Sequence, residues 1–142
     1  MENLESQEIK RKKRYLKRYK KNLNCIKRLE ARVSDLNDKL NSLSSPSFSD
    51  MPRGGTPVTK TELITNKIEL EERIKRFKAK SDILRCETLA EIDRLTDIRY
   101  IEVLESIYID CRDIDDTADH LGYHRRHIER LESEAIKELT EL

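Results

Sequence analysis

The chain has 142 residues, of which only 36% are apolar and 40% are charged, and it contains no Trp. This composition excludes a large globular core but suits long amphipathic helices, which need only a narrow apolar seam. The net charge of +1 conceals an uneven distribution, because twelve Lys or Arg and a single acid lie between Lys10 and Arg32.

The first predicted element is one long helix over residues 8–43, which no Pro or Gly interrupts. Its apolar residues recur at steps of three or four, with one irregular step between Ile26 and Leu29. This spacing is typical of a coiled-coil seam. The seam consists of Leu16, Tyr19, Leu23, Ile26, Leu29, Val33, Leu36, Leu40 and Leu43.

The front of this helix is strongly basic, and its role has two interpretations. The cations either contact DNA phosphates and add salt-dependent affinity, or form a solvated face that meets acidic partners. These candidate contacts are Lys10, Arg11, Lys12, Lys13, Arg14, Lys17 and Arg18.

Residues 44–58 contain all three Pro and two of the three Gly, which predicts a loop. Arg53, within this loop, belongs either to a flexible tip or to a contact with a partner or with the DNA backbone. Thr59 and Glu62 then have the spacing of a capping box, which begins a second helix that runs to about Leu95. Two helices of similar length predict a long antiparallel helical hairpin, closed either within one chain or against a second copy.

The second helix has its own apolar seam, and the hairpin is expected to form the first domain, residues 1–95. The seam consists of Leu63, Leu70, Ile74, Phe77, Leu84, Ile92 and Leu95. Residues 96–142 form the predicted second domain, with helices over 98–110, 114–121 and 124–139, the first of them capped by Asp97. The predicted fold class is therefore all-α.

The second domain has the residue pattern of a helix-turn-helix. Ala118 suits the close crossing of two helices, and Gly122 suits a left-handed backbone in the turn. Ile128 and Leu131 then recur at helical spacing and direct the last helix back onto the one before it. Together these residues match the helix-turn-helix pattern.

If the last helix packs in this way, its outward face presents polar residues to a ligand. Arg side chains can bind guanine edges or phosphates, and the helix N-terminus favours anions. The plainer alternative is that these side chains are only solvent-facing charge. The predicted DNA-binding residues are His124, Arg125, Arg126, Glu129 and Arg130.

Residues 97–139 resemble region 4 of bacterial sigma factors, which reads a promoter element. The whole chain resembles a small phage and prophage protein family of Gram-positive bacteria that has a Met-Pro-Arg-Gly-Gly loop, here Met51 to Gly55. The matching stretches include Tyr15 to Tyr19, Leu70 to Ile74 and Ser133 to Lys137. The resemblance implies kinship to ArpU- and RinA-type regulators of phage transcription.

Two features depart from the sigma-like pattern. His124 stands where Ser or Thr usually begins the recognition helix, and His is a weaker N-cap. Asp115, Asp116 and Asp119 make the preceding helix acidic, which would repel phosphate if they faced the groove.

Catalysis and metal binding are not expected. His120, His124, His127 and Cys111 lack the paired spacing of a structural zinc site, and no catalytic triad or phosphate-binding loop is present. We therefore expect no enzyme activity and no cofactor. The odd number of Cys without a secretory signal, and the lack of a long apolar run, predict a cytoplasmic protein that does not enter the membrane.

The combined prediction is a phage-type transcriptional regulator that binds double-stranded DNA, with the hairpin serving dimerisation or docking on a partner such as RNA polymerase. We expect a homodimer. One alternative is a DNA-packaging protein similar to small terminase subunits, which assemble into rings. Another is a protein-interaction module that binds RNA polymerase or another regulator.

Overall fold

The computed structural model describes residues 3–44 and 59–140, which form helices and no strand. The prediction of an all-α chain is confirmed. No helix in these two ranges is long and apolar enough to cross a membrane. The predicted loop tip with Arg53 lies outside the described residues. The helices are α1 (Leu4–Leu16), α2 (Arg18–Ser44), α3 (Lys60–Ile92), α4 (Ile98–Leu104), α5 (Ile114–Leu121) and α6 (Arg125–Glu138).

The prediction of one uninterrupted helix over residues 8–43 is wrong at Lys17, where α1 ends and α2 follows at once. The interruption is small, because Lys17 keeps a right-handed backbone and its N–H still donates to the Lys13 carbonyl, at 3.0 Å. The Arg18 Nε donates to the Tyr15 carbonyl oxygen, at 3.1 Å.

The described chain divides into two compact units. The composite unit contains Met1–Asn22 and Lys80–Leu142, and the middle unit contains Leu23–Ala79. This division differs from the predicted boundary between residues 95 and 96. The physical reason is that apolar side chains from α1 and from the end of α3 are buried in the same cluster as those of α4 and α6.

The core of the composite unit has α1 as an integral part. Leu16 is fully buried, and Ile9 packs against the same cluster. Glu5 of α1 forms an ion pair with Lys137 of α6, at 3.3 Å. The cluster consists of Leu16, Ile92, Leu95, Leu104, Tyr108, Ile109, Ala135, Ile136 and Leu139.

The predicted helix over residues 98–110 is present, but its second part is wound as a π-helix, Glu105–Ile109. Asp97 caps α4 as predicted, by accepting from the Arg99 N–H at 2.9 Å. Hydrogen bonding to the Arg99 side chain is the main cause that lowers the pKa of the Asp97 carboxyl. The segment ends at Cys111, which has a positive φ of 59°.

Polar side chains inside the composite unit are paired with one another. The Tyr108 hydroxyl donates to a carboxylate oxygen of Glu132, at 2.8 Å, and the hydroxyls of Ser106 and Thr117 lie 3.0 Å apart. All four residues are buried. Among the described residues, no buried side-chain nitrogen or oxygen lacks a hydrogen-bond partner. This satisfies the requirement that buried polar groups be hydrogen-bonded.

The middle unit is built on the apolar seam predicted for α2 and α3. Its buried cluster consists of Ile26 and Leu29 of α2 with Leu70 and Ile74 of α3. At the far end of α2 the last residue of the seam, Leu43, is 55% exposed. The beginning of α3 has the predicted capping box: the Glu62 N–H donates to the Thr59 hydroxyl, at 3.1 Å, and the Thr59 N–H donates to the Glu62 carboxylate, at 3.4 Å.

Candidate nucleic-acid interface

Helix α5 covers the predicted range and has a well-defined start. The carboxylate of Asp113 caps it by accepting from the Asp116 N–H, at 2.7 Å. Two small buried residues, Thr117 and Ala118, face the interior of the composite unit. Their size allows α5 to lie close to its neighbours, which is the role predicted for Ala118.

The turn after α5 has the left-handed backbone predicted for Gly122, with φ 74° and ψ 31°. The N–H groups of Gly122 and Tyr123 both donate to the Ala118 carbonyl, at 2.9 and 3.0 Å. These bonds satisfy an acceptor that the end of a helix would otherwise leave open. An added Cβ at Gly122 would meet no atom within 4 Å, so glycine is required by the backbone conformation and not by space.

Helix α6 begins directly after His124, and the imidazole caps it. The ring Nδ1 of His124 accepts from the Arg126 N–H, at 3.2 Å, and the backbone carbonyl of His124 accepts from the Ile128 N–H, at 3.1 Å. The ring of His127 packs edge-on against Tyr123, with ring centroids 4.9 Å apart. The residue that the sequence marks as a weak cap therefore fixes the first turn through its ring nitrogen.

One face of α6 is fixed by packing, and this sets the direction of the other. Ile128 and Leu131, 0% and 1% exposed, pack in one cluster with Val103 and Ala118. The residues predicted to face outward are all exposed: His124, Arg125, Arg126, Glu129 and Arg130. The five residues predicted to contact DNA are therefore all accessible to a ligand.

The three arginines on this face differ in their surroundings. The Arg125 guanidinium lies 3.4 Å from Asp115 of α5 and 3.2 Å from Glu129 one turn along α6. Arg130 lies 2.7 Å from the Nδ1 of His127. The Arg126 side chain has no hydrogen bond or ion pair within residues 3–44 and 59–140.

The acidic residues of α5 are exposed beside this face, and one of them has a role that the sequence did not predict. Asp115 forms an ion pair with Arg125, whose positive charge offsets part of the repulsion between the Asp115 carboxylate and a phosphate. Asp116 and Asp119 are exposed as well. The Arg125–Glu129 spacing of four residues could have been recognised in the sequence. The ion pair between Asp115 and Arg125 depends on how α5 packs against α6, so the sequence spacing did not indicate it.

The basic residues of α1 and the start of α2 do not form one uniform surface. The prediction that Lys12 contacts phosphate or a partner is wrong, because this side chain is only 4% exposed. Its ammonium donates to the Lys137 carbonyl and pairs with Glu8, both at 3.4 Å. Arg18 lies 2.9 Å from Glu87 and stacks 3.8 Å above the Tyr15 ring. Lys13 is half-buried. The exposed members are Lys10, Arg11, Arg14 and Lys17.

The His and Cys residues weighed as a metal site are not gathered into one. Within the described ranges, no group of three or more His, Cys, Asp or Glu is placed to hold a metal ion. His124 and His127 instead use their Nδ1 atoms within α6.

Comparison with known families gives one match, over residues 42–140, to a family described as "Protein of unknown function (DUF1492)". No curated protein and no solved structure matches the chain. The matched range includes α3 to α6 and therefore the whole α5–α6 face described above. Because the match extends over more than half of its length, the chain belongs to the DUF1492 family.

Proposed function

We propose that the protein is a transcriptional regulator that binds duplex DNA through α5 and α6, which act as a helix-turn-helix with α6 as the recognition helix. The observation that carries this proposal is a coincidence of two features on α6. Packing fixes its inner face on Ile128 and Leu131, and the opposite face presents Arg125, Arg126 and Arg130 to solvent.

The proposed domain is similar to region 4 of sigma factors, with α4 supporting α5 and α6. Tyr100 of α4 donates from its hydroxyl to Glu134 of α6, at 3.0 Å, on the side where α4 packs. Helix α6 can then enter the major groove with its first turn foremost, since that end is exposed and carries the positive end of the helix dipole.

We further propose that α2 and α3 form an antiparallel hairpin, which serves dimerisation or docking. Two contacts within the middle unit support the antiparallel orientation of α2 and α3. Glu30 pairs with Lys78, at 3.4 Å, whereas a groove further along α2 is lined by Leu36 together with Leu70 of α3. A higher number on α2 thus corresponds to a lower number on α3. Light scattering tests the assembly: a dimer supports the regulator, and a ring favours a packaging protein.

The DNA-binding proposal is tested by selecting fragments of sheared genomic DNA from the host and its prophages with the purified protein. Wild type is compared with Arg125→Ala/Arg126→Ala. The matched control is Lys75→Ala/Arg76→Ala, which removes two adjacent exposed cations from α3. Enrichment of a few promoter-proximal sites, lost in the first variant and kept in the second, is the expected result.

Absence of enrichment with the wild type, or the same enrichment with both variants, would contradict DNA reading by α6. Salt dependence adds a second measure, since phosphate contacts release counterions. Each lost phosphate contact lowers the slope of log affinity against log salt by about one. The control variant is expected to retain the wild-type slope.

A second candidate function is a protein-interaction module, and the acidic surface of α5 favours it. Asp115, Asp116 and Asp119 are exposed, and Asp115 already engages Arg125 of the proposed recognition helix. Such a module would bind RNA polymerase or another regulator through α5. It predicts that Asp116→Asn/Asp119→Asn abolishes capture of purified polymerase, whereas Arg125→Ala/Arg126→Ala does not.

A further inference from the structure

The recognition face of α6 contains three arginines, and only one is placed to read a base without first breaking a contact. Arg125 has carboxylates on two sides, from Asp115 and Glu129. Arg130 is held by His127. Arg126 is exposed, and within the described residues its guanidinium has no partner.

We propose that Arg126 determines sequence specificity by binding a guanine in the major groove, while Arg125, held between Asp115 and Glu129, positions the recognition helix. This assignment rests on the proposed DNA-binding function and deepens it. The ligand is a G·C pair within a duplex operator, recognised through the two acceptors of guanine, N7 and O6.

The chemistry of the guanine edge favours Arg126 over Arg125. That edge presents two acceptors side by side, which match the forked donors of a guanidinium. Around Arg125 the carboxylates of Asp115 and Glu129 are acceptors too, so they compete for the same donors and repel the electronegative edge of the base. No carboxylate lies within ion-pair distance of Arg126 in the described chain.

The backbone of Arg126 is fixed, although its side chain has no partner among residues 3–44 and 59–140. Its N–H donates to the His124 ring, and Ile128, two residues further, is fully buried. The Cα position is therefore set by the cap and the core, while the side chain extends from the first turn of α6. The first turn of α6 therefore presents the donor fork of Arg126 from a fixed Cα position.

The test is selection from randomised duplexes followed by sequencing, with wild type, Arg126→Gln and Arg125→Gln. Arg76→Gln on the exposed face of α3 is the matched control. We expect the wild-type motif to contain one strongly preferred guanine. Arg126→Gln should reduce discrimination at that base pair by roughly 10- to 100-fold, or convert it to adenine, because Gln pairs with the adenine edge. Arg125→Gln should weaken binding several-fold at every sequence and leave the preferred bases unchanged.

The outcomes separate this assignment from the function on which it rests. If the wild type selects no motif, the DNA-reading function and the assignment both fail. If the wild type selects a motif that Arg126→Gln retains, only the assignment to Arg126 fails, and a changed motif with Arg125→Gln would transfer it to Arg125. Thermal melts of all variants should coincide, since these side chains are exposed.

Discussion

Replacing Gly122 by Ala tests whether the left-handed turn fixes the geometry between α5 and α6. A Cβ at this position meets no heavy atom within 4 Å, so steric contact adds nothing to the effect. The left-handed backbone itself is unfavourable for an L-residue by about 1–2 kcal/mol. Ala also restricts the unfolded chain, which offsets about 0.4–1 kcal/mol of that loss. We therefore expect the free energy of unfolding to fall by about 1 kcal/mol.

The measurement is urea unfolding monitored by far-UV circular dichroism. The free energy of unfolding in water and its slope against urea concentration are fitted together. Gly122→Asn is a second variant for comparison. Because Asn adopts the left-handed region more readily than Ala, its free energy of unfolding should fall by less. Gly122→Val should lose more, because a β-branched residue at this φ of 74° is strongly disfavoured.

Two results would refute the reasoning about the turn. If Gly122→Ala is as stable as wild type, the turn does not need its left-handed backbone. If it loses more than about 3 kcal/mol, the added methyl meets packed atoms, which contradicts the open space around Gly122.

Four further single variants and one double variant test the interior of the composite unit by the same unfolding measurement. Tyr108→Phe should lose about 1–3 kcal/mol, because it leaves the buried carboxylate of Glu132 without its donor. Burial raises the pKa of the Tyr108 phenol far above its ordinary value. Its protonated form therefore adds stability below about pH 10 that is lost as the pH rises further. Phenolate absorbance should show one Tyr that ionises only on unfolding, and Tyr108→Phe should lack that step. Thr117→Val and Ser106→Ala should each lose about 1 kcal/mol, and the double variant less than their sum; full additivity would contradict the hydroxyl pair. Leu16→Ala should lose about 2–5 kcal/mol, and a loss near zero would exclude α1 from the core.

The α5–α6 region was predictable because its determinants are close together in the sequence. The range of α5, the left-handed Gly122 and the burial of Ala118, Ile128 and Leu131 are all confirmed. A turn that needs glycine, followed by apolar residues at helical spacing, leaves few alternative arrangements. The outward face of α6 followed from the same periodicity, because burial of one side of a helix determines what the other side presents.

The features that the sequence did not predict depend on residues far apart in the chain. Lys12 looked like its basic neighbours, and its burial arises from contact with Lys137, 125 residues away. A charge pattern contains no information about which cation packs beneath another helix. Likewise, the spacing of Leu16 indicated an apolar seam, closed within one chain or against a second copy, whereas its place in the cluster with Ile136 depends on the tertiary fold.

The discontinuous make-up of the composite unit sets an order of events during synthesis. Leu16 leaves the ribosome early, yet Ile136 and Leu139, which share its cluster, are translated more than a hundred residues later. The middle unit, Leu23–Ala79, lies between them and has its partners closer together in sequence. Packing of α2 against α3 shortens the free stretch of chain between α1 and the C-terminal helices. The entropy loss of joining these distant segments is therefore smaller. Until then the apolar stripe of α1 is exposed in the nascent chain, where the dense cations around it oppose aggregation through like-charge repulsion.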